Sequence, residues 1–146
     1  MFTEICQYLR NWFTRAVTVG LVTISGGVIS VDGDALALMD GQYYRIIGSI
    51  MNDGVHKYGD TSDELTDEEF AGAVWSMAIP PDVVKLVGEI EAWVTANNAA
   101  ISSPFASESF GGYSYSLRTS SGADGQTTAP TWQSQFAARL APWRRI

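Results

Sequence analysis

His56 is the only histidine in the chain and Cys6 the only cysteine. A thiolate or imidazole metal centre needs several such residues, so none is expected. His56 stands in Val55-His56-Lys57-Tyr58, an apolar and aromatic context that reads as a satisfied structural histidine rather than a base. Cys6 lies among Ile5, Leu9, Trp12 and Phe13 and reads as a small buried hydrophobe. No Gly-x-Ser-x-Gly elbow is present to hold the serine of a triad. Asp32, Asp34 and Asp40 lack the spacing of a calcium loop. Neither Gly26-Gly27 nor Gly111-Gly112 matches a dinucleotide fingerprint, and there is no Walker loop. What remains is an acid run: Asp60, Asp63, Glu64, Asp67, Glu68 and Glu69 place six of the sixteen acids in ten positions. Two carboxylates close together are what a glycosidase needs. The same residues are explained by helix capping, because Thr66-Asp67-Glu68-Glu69 fits a capping box. No catalytic residue, cofactor or metal ligand is expected, and the chain is read as a non-enzyme.

The elements that would position these residues follow from periodicity. Residues 3–15 predict a short amphipathic helix with Ile5, Leu9, Trp12 and Phe13 on one stripe and Thr3 as its cap. Residues 17–58 predict a β-rich insertion. Leu21–Ser25 and Val28–Val31 flank Gly26-Gly27, Asp32-Gly33 marks a second turn, and Gln42–Ile47 and Val55–Tyr58 are further strands. Residues 66–98 predict the core helices. The first runs from the capping box through Phe70, Val74 and Met77, and Pro80-Pro81 ends it. The second carries Val83, Val84, Val87, Ile90, Trp93 and Val94 as far as Asn97-Asn98. Residues 99–130 read as an extended interface segment and a Ser/Gly/Thr-rich loop. Residues 131–146 read as a helix capped by Thr131, with Trp132, Phe136 and Leu140 on one face, and a docking tail after Pro142. The tryptophans Trp75, Trp93 and Trp132 are expected in the core. The expected fold class is α+β: one domain with a helical bundle core of three to four helices and a small antiparallel β-sheet inserted after the N-terminal helix.

Composition bounds the function. The chain has 146 residues, 46% apolar and 17% charged, with five Trp, six Tyr and six Phe, which describes a folded domain rather than a disordered one. The net charge of −7 is uneven: the first 124 residues carry −10 and the last 22, which hold Arg139, Arg144 and Arg145, carry +3. Specific nucleic-acid binding is disfavoured, because phosphate contacts need clustered Lys and Arg. An arginine-bearing tail on an acidic body fits protein–protein docking, including onto another copy of the chain. Arg10 and Arg15 interrupt the apolar start expected of a signal peptide, and no segment approaches the ~20 apolar residues of a membrane span. A soluble, intracellular protein with no membrane partner is expected.

The segment Ser107-Glu108-Ser109-Phe110-Gly111-Gly112-Tyr113-Ser114-Tyr115-Ser116, following Ser103-Pro104-Phe105, resembles a motif of tailed-phage head–tail connector proteins, of the adaptor or head-completion kind. Gly41-Gln42-Tyr43-Tyr44-Arg45-Ile46, Asn52-Asp53-Gly54-Val55 and Trp143-Arg144-Arg145-Ile146 are similar to stretches of the same group. Gly112 departs from the aspartate common at that position, and the 17–58 segment is larger than a minimal helical adaptor requires. The resemblance implies a structural virion protein of the neck, present in the host cytoplasm during assembly. It implies a homo-oligomeric, dodecameric ring that contacts the portal and the stopper or tail-completion protein, with DNA passing through without specific binding. A stopper or tail-completion protein is the alternative within that assembly. A carbohydrate-binding or depolymerising tail-tip domain built on Tyr43, Tyr44 and Tyr58 is the alternative from another class. The expected interface residues are Ser107–Ser116, whose glycines allow a tight backbone, and Trp143, Arg144, Arg145 and Ile146, with Trp143 as the apolar anchor.

Overall fold

The structure, a computed structural model, describes residues 1–102, 107–110, 113–116, 120–121, 127–128 and 130–146, with side chains for 1–98 and 130–146. It divides into a sheet unit, Met1–Pro81 with Arg145–Ile146, and a second unit, Asp82–Arg144.

The sheet unit opens with helix α1 (Phe2–Leu9), which buries Ile5, Cys6 and Leu9. The helix is shorter than its apolar stripe predicts. Arg10 turns left-handed at φ 52° and Phe13 does so at φ 48°, with the Asn11 side chain accepting from the Phe13 amide. Trp12 and Phe13 therefore leave the helical stripe. Thr3 is not the cap; its hydroxyl accepts from the Val55 amide at 3.1 Å.

Six strands follow in this unit: β1 (Thr14–Ser25), β2 (Val28–Val31), β3 (Asp34–Ala35), β4 (Tyr43–Ile47), β5 (Gly54–Lys57) and β6 (Glu68–Met77). They form one antiparallel sheet in the order β3-β2-β1-β6-β4-β5. The turns read from the sequence are present: Gly26 and Gly27 sit at φ 56° and 80°, and Asp32 and Gly33 at 51° and 87°, the positive-φ pairs a tight hairpin requires. One face of the sheet buries Val22, Ile24, Ile29, Val31, Tyr44, Ile46 and Val74, covered by Leu36, Leu38, Tyr58, Leu65 and Phe70. Each fully buried aliphatic side chain contributes about 1.5–3 kcal/mol of transfer free energy.

The expected helical bundle core is not formed, and the molecule is more β-rich than its sequence periodicity implied. The overturning element is β6. Residues 68–77 pair with β1 from Ile24↔Glu68 to Thr14↔Met77 and with β4 from Ile47↔Ala73 to Tyr44↔Ser76, as a central strand. Thr66 and Glu69 make no capping box. Instead the Thr66 amide donates to the Asn52 side chain at 2.8 Å. Gly72, poor in a helix, suits this strand, since a Cβ there would fall inside contact distance of the Ile47 carbonyl and the Phe70 ring.

The second unit holds α2 (Pro81–Ser102), β7 (Ser107–Phe110), β8 (Tyr113–Ser116), the short pair β9 (Ser120–Ser121) and β10 (Thr127–Thr128), and α3 (Trp132–Leu140), which runs into a 3-10 turn at Ala141–Trp143. Helix α2 starts at Pro81 as expected and passes through Asn97-Asn98, where Asn97 bonds back to the Trp93 carbonyl. Its Val83, Leu86, Val87 and Ile90 are buried at helical spacing. Thr131 caps α3 in a reciprocal pair with Ser134, as its position predicts. Trp93 and Phe136 meet edge to face at 6.2 Å, and Arg139 pairs with Glu89 at 2.5 Å. Trp75 belongs to the sheet unit, whereas Trp93 and Trp132 belong to this one.

Candidate functional site

The residues singled out for chemistry act as struts. His56 Nε2 lies 2.7 Å from the Asn52 carbonyl oxygen and Nδ1 2.9 Å from Asp63 Oδ1. A carbonyl only accepts, so Nε2 donates to it, and Nδ1 is held by the carboxylate. Both nitrogens are occupied, which leaves neither to activate a nucleophile. Asp63 also accepts from the Lys57 amide at 3.1 Å, so it fastens the 58–65 loop to β5.

Glu68, expected in a helix cap, organises the loop after β4. Its carboxylate accepts from the Ser49 hydroxyl, from the Ile50 amide at 3.0 Å, from the Met51 amide at 3.4 Å and from Asn52 Nδ2 at 3.0 Å. These donors, led by Ser49, hold its pKa below the usual glutamate value. The loop so fixed presents Ile50 at 92% exposure and Met51 at 68%.

Cys6 is buried, and desolvation pushes its thiol up to about 11, with Arg45 acting in the opposite direction. It is an inert core thiol of the kind expected. Among the described residues no group of three or more His, Cys, Asp or Glu is placed to hold a metal, and no helix is long and apolar enough to cross a membrane.

Two surfaces of the sheet unit stand out. The first is an apolar stripe on β1. Val17, Val19 and Leu21 alternate onto one face and are 53%, 69% and 47% exposed, opposite Trp75, Ala73 and Ala71 of β6. The apolar phase of β1 then switches, since Val22 and Ile24 point to the other, buried face. Helix α1 covers the β4–β5 end of the stripe's face through Phe2 on Tyr43 at 4.7 Å, and Trp12, just after the helix, meets Trp75 of β6 at 6.4 Å. This stripe was legible only as strand propensity; the phase switch at Leu21-Val22 is the signal that marks it.

The second surface is an open cavity of about 580 Å³ on the opposite face, beneath the 58–65 loop. Asp40, Tyr44, Lys57, Tyr58, Asp60 and Glu64 are among its lining residues. Tyr44 is 2% exposed, stacks on His56 at 5.6 Å and meets Tyr58 edge-on at 6.5 Å. Its hydroxyl has no hydrogen-bond partner among the described residues. Burial raises its pKa well above the phenol value, and the Asp63 charge and Tyr58 add to the effect. Tyr43 and Tyr44 face opposite sides of β4, so together with Tyr58 they make no flat platform for a sugar ring.

The expected interface residues are distributed between the units. Ser107–Phe110 and Tyr113–Ser116 form an antiparallel hairpin with register Ser107↔Ser116, Glu108↔Tyr115, Ser109↔Ser114 and Phe110↔Tyr113. Gly111 and Gly112, expected to provide its turn, lie outside the described residues. Trp143 closes the 3-10 turn and is half-buried. Arg144, Arg145 and Ile146 are exposed. The Arg145 amide donates to the Leu9 carbonyl at 2.9 Å, which ties the closing residues to the end of α1. No protein-family model, curated protein or solved structure matches this chain.

Proposed function

We propose that the chain is a structural assembly subunit of a tailed-phage head–tail connector, one copy in a ring between the portal and the tail. The observation that carries this reading is the exposed Val17–Val19–Leu21 stripe. A soluble monomer rarely leaves three large aliphatic side chains in register on a regular sheet face, because covering them by a neighbour is favourable by roughly 25 cal/mol per Å². The likeness of the Ser107–Ser116 segment and of Trp143–Ile146 to connector proteins supplies the identity of the assembly. The acidic body suits a channel wall that repels DNA.

The six-stranded sheet favours a second reading within that assembly, a stopper or tail-completion layer, which the β-rich content suits better than a helical adaptor. The two readings share the ring and differ in neighbour.

The test is mass photometry and negative-stain imaging of the full chain, alone and mixed with the portal protein of the same genome. Rings, or stoichiometric addition of the chain to the portal, support the connector reading. A monomer that binds neither itself nor the portal overturns it.

A further inference from the structure

The cavity beneath the 58–65 loop is fitted for an organic cation. Asp40, Asp60, Asp63 and Glu64 line it with Lys57 as the one base among its described lining residues, and its wall contains Tyr44, 2% exposed, whose hydroxyl has no partner among the described residues. Arg45 Nε is the one fully buried side-chain polar atom without a partner among the described residues, so the Tyr44 hydroxyl meets the solvent of the cavity and is free to accept from a donor that enters it. The described carboxylates do not cluster closely enough for a metal ion. A planar guanidinium meets the remaining demands, since it donates in a fork to carboxylates and stacks on aromatic rings such as Tyr58.

The chain itself carries such a group. Arg145 is exposed, and its backbone is fixed to the end of α1. Helix α1 and the turn after it lie on the sheet face that carries Tyr43 and Arg45, with Phe2 of the helix on Tyr43 and Trp12 of the turn beside Arg45. Tyr44 and His56 are cross-strand partners on the other face, where the cavity opens. The sheet thus stands between Arg145 and the cavity of the same copy. A donor on one face and an acceptor on the opposite face make a heterologous contact between copies, which closes into a ring when the rotation permits.

We infer that the Tyr44 cavity receives the Arg145 side chain of a second copy of this chain, as the repeating contact of the assembly. This rests on the connector reading for its biological setting but not for its test. Full-length wild type, Tyr44→Phe, Glu64→Arg and Arg145→Glu are compared by sedimentation velocity at low and high salt, with thermal melts to verify folding. Tyr44→Phe removes only the unpartnered hydroxyl. Each variant is expected to weaken self-association by about tenfold or more, as loss of a close charge pair (Glu64 or Arg145) or of a hydrogen bond to a charged group (Tyr44) does. Mixing Glu64→Arg, whose cavity is blocked, with Arg145→Ala, whose tail carries no charge to pair with the new arginine, leaves one working contact and yields 1:1 dimers and nothing larger. Undiminished association of Arg145→Glu, or a wild type that stays monomeric at all concentrations, overturns the contact. Portal binding, scored on the same samples, decides the connector reading separately.

Discussion

The Arg45 guanidinium lies against Trp12, 3.5 Å from the ring centroid, and 4.9 Å from the ring of Trp75. It is a desolvated cation held by aromatic faces: burial lowers its pKa, Asp53 opposes this, and its Nε is buried without a partner. Trp12→Ala removes the ring and leaves the cation uncovered, so we expect it to cost about 2–4 kcal/mol by urea unfolding. Arg45→Met keeps the packed stem and removes the unsatisfied nitrogen, and should cost less than about 1 kcal/mol.

Glu68→Gln should loosen the Ser49–Asn52 loop and make the Ile50-Met51 tip an early cleavage site in limited proteolysis. The sign of the pH effect is fixed by the depressed folded pKa. The carboxylate's contribution is present above the usual value of 4.5 and is lost as pH falls through the folded pKa. The gap in urea midpoint between wild type and Glu68→Gln should therefore be open at pH 7 and shrink on acidification below 4.5.

Cys6 should resist alkylation at pH 8 until the protein unfolds. Raising its pKa from 9.0 to about 11 lowers the thiolate fraction about 100-fold, and burial slows access further. The fold retains the proton that the unfolded chain releases, so wild type should lose stability relative to Cys6→Ala as pH rises from 9 towards 11. Iodoacetamide labelling with and without urea, and melts across that range, measure both effects.

Gly72→Ala should separate β6 from β4 and cost about 2–4 kcal/mol, because the new methyl meets the Ile47 carbonyl, which is backbone and cannot swing away. Gly88→Ala, where nothing lies near the added carbon, should be neutral or slightly stabilising. Chemical denaturation of the two variants provides the comparison.

Val19→Glu should leave the melting temperature within a few degrees of wild type, since the side chain is 69% exposed. The same variant should abolish assembly if a neighbour covers the β1 stripe. Mass photometry reads the second effect and calorimetry the first.

The parts of the fold legible in the sequence are those decided locally. Gly26-Gly27 and Asp32-Gly33 needed positive φ, Pro81 could only open a helix, and Thr131 had Ser134 within reach. The illegible part was residues 66–77, where Thr66, Glu69, Ala71, Ala73 and Met77 satisfy a helix as well as a strand. There β1 and β4 decided the outcome, and both are distant in sequence. The same holds for the candidate surfaces. In the sequence Tyr44 reads as one of three tyrosines of a candidate sugar-binding face, and only the 58–65 loop, fastened by Asp63 to His56, makes it part of a cavity wall. The acid run was visible, but its division between a loop anchor at Glu68, a latch at Asp63 and a cavity rim at Glu64 depends on partners outside the run.

The central position of β6 has a kinetic consequence. Strands β1–β3 and β4–β5 are assembled from neighbouring hairpins, yet neither group can join the other until residues 68–77 have entered between them. Until then both β1 and β4 present a bare edge, a template for pairing with the wrong chain. Closure must wait on contacts between residues far apart in sequence, such as Val22 and Phe70, which slows folding relative to a helical bundle of this size. That hazard grows with the concentration of chains that have not yet closed the sheet.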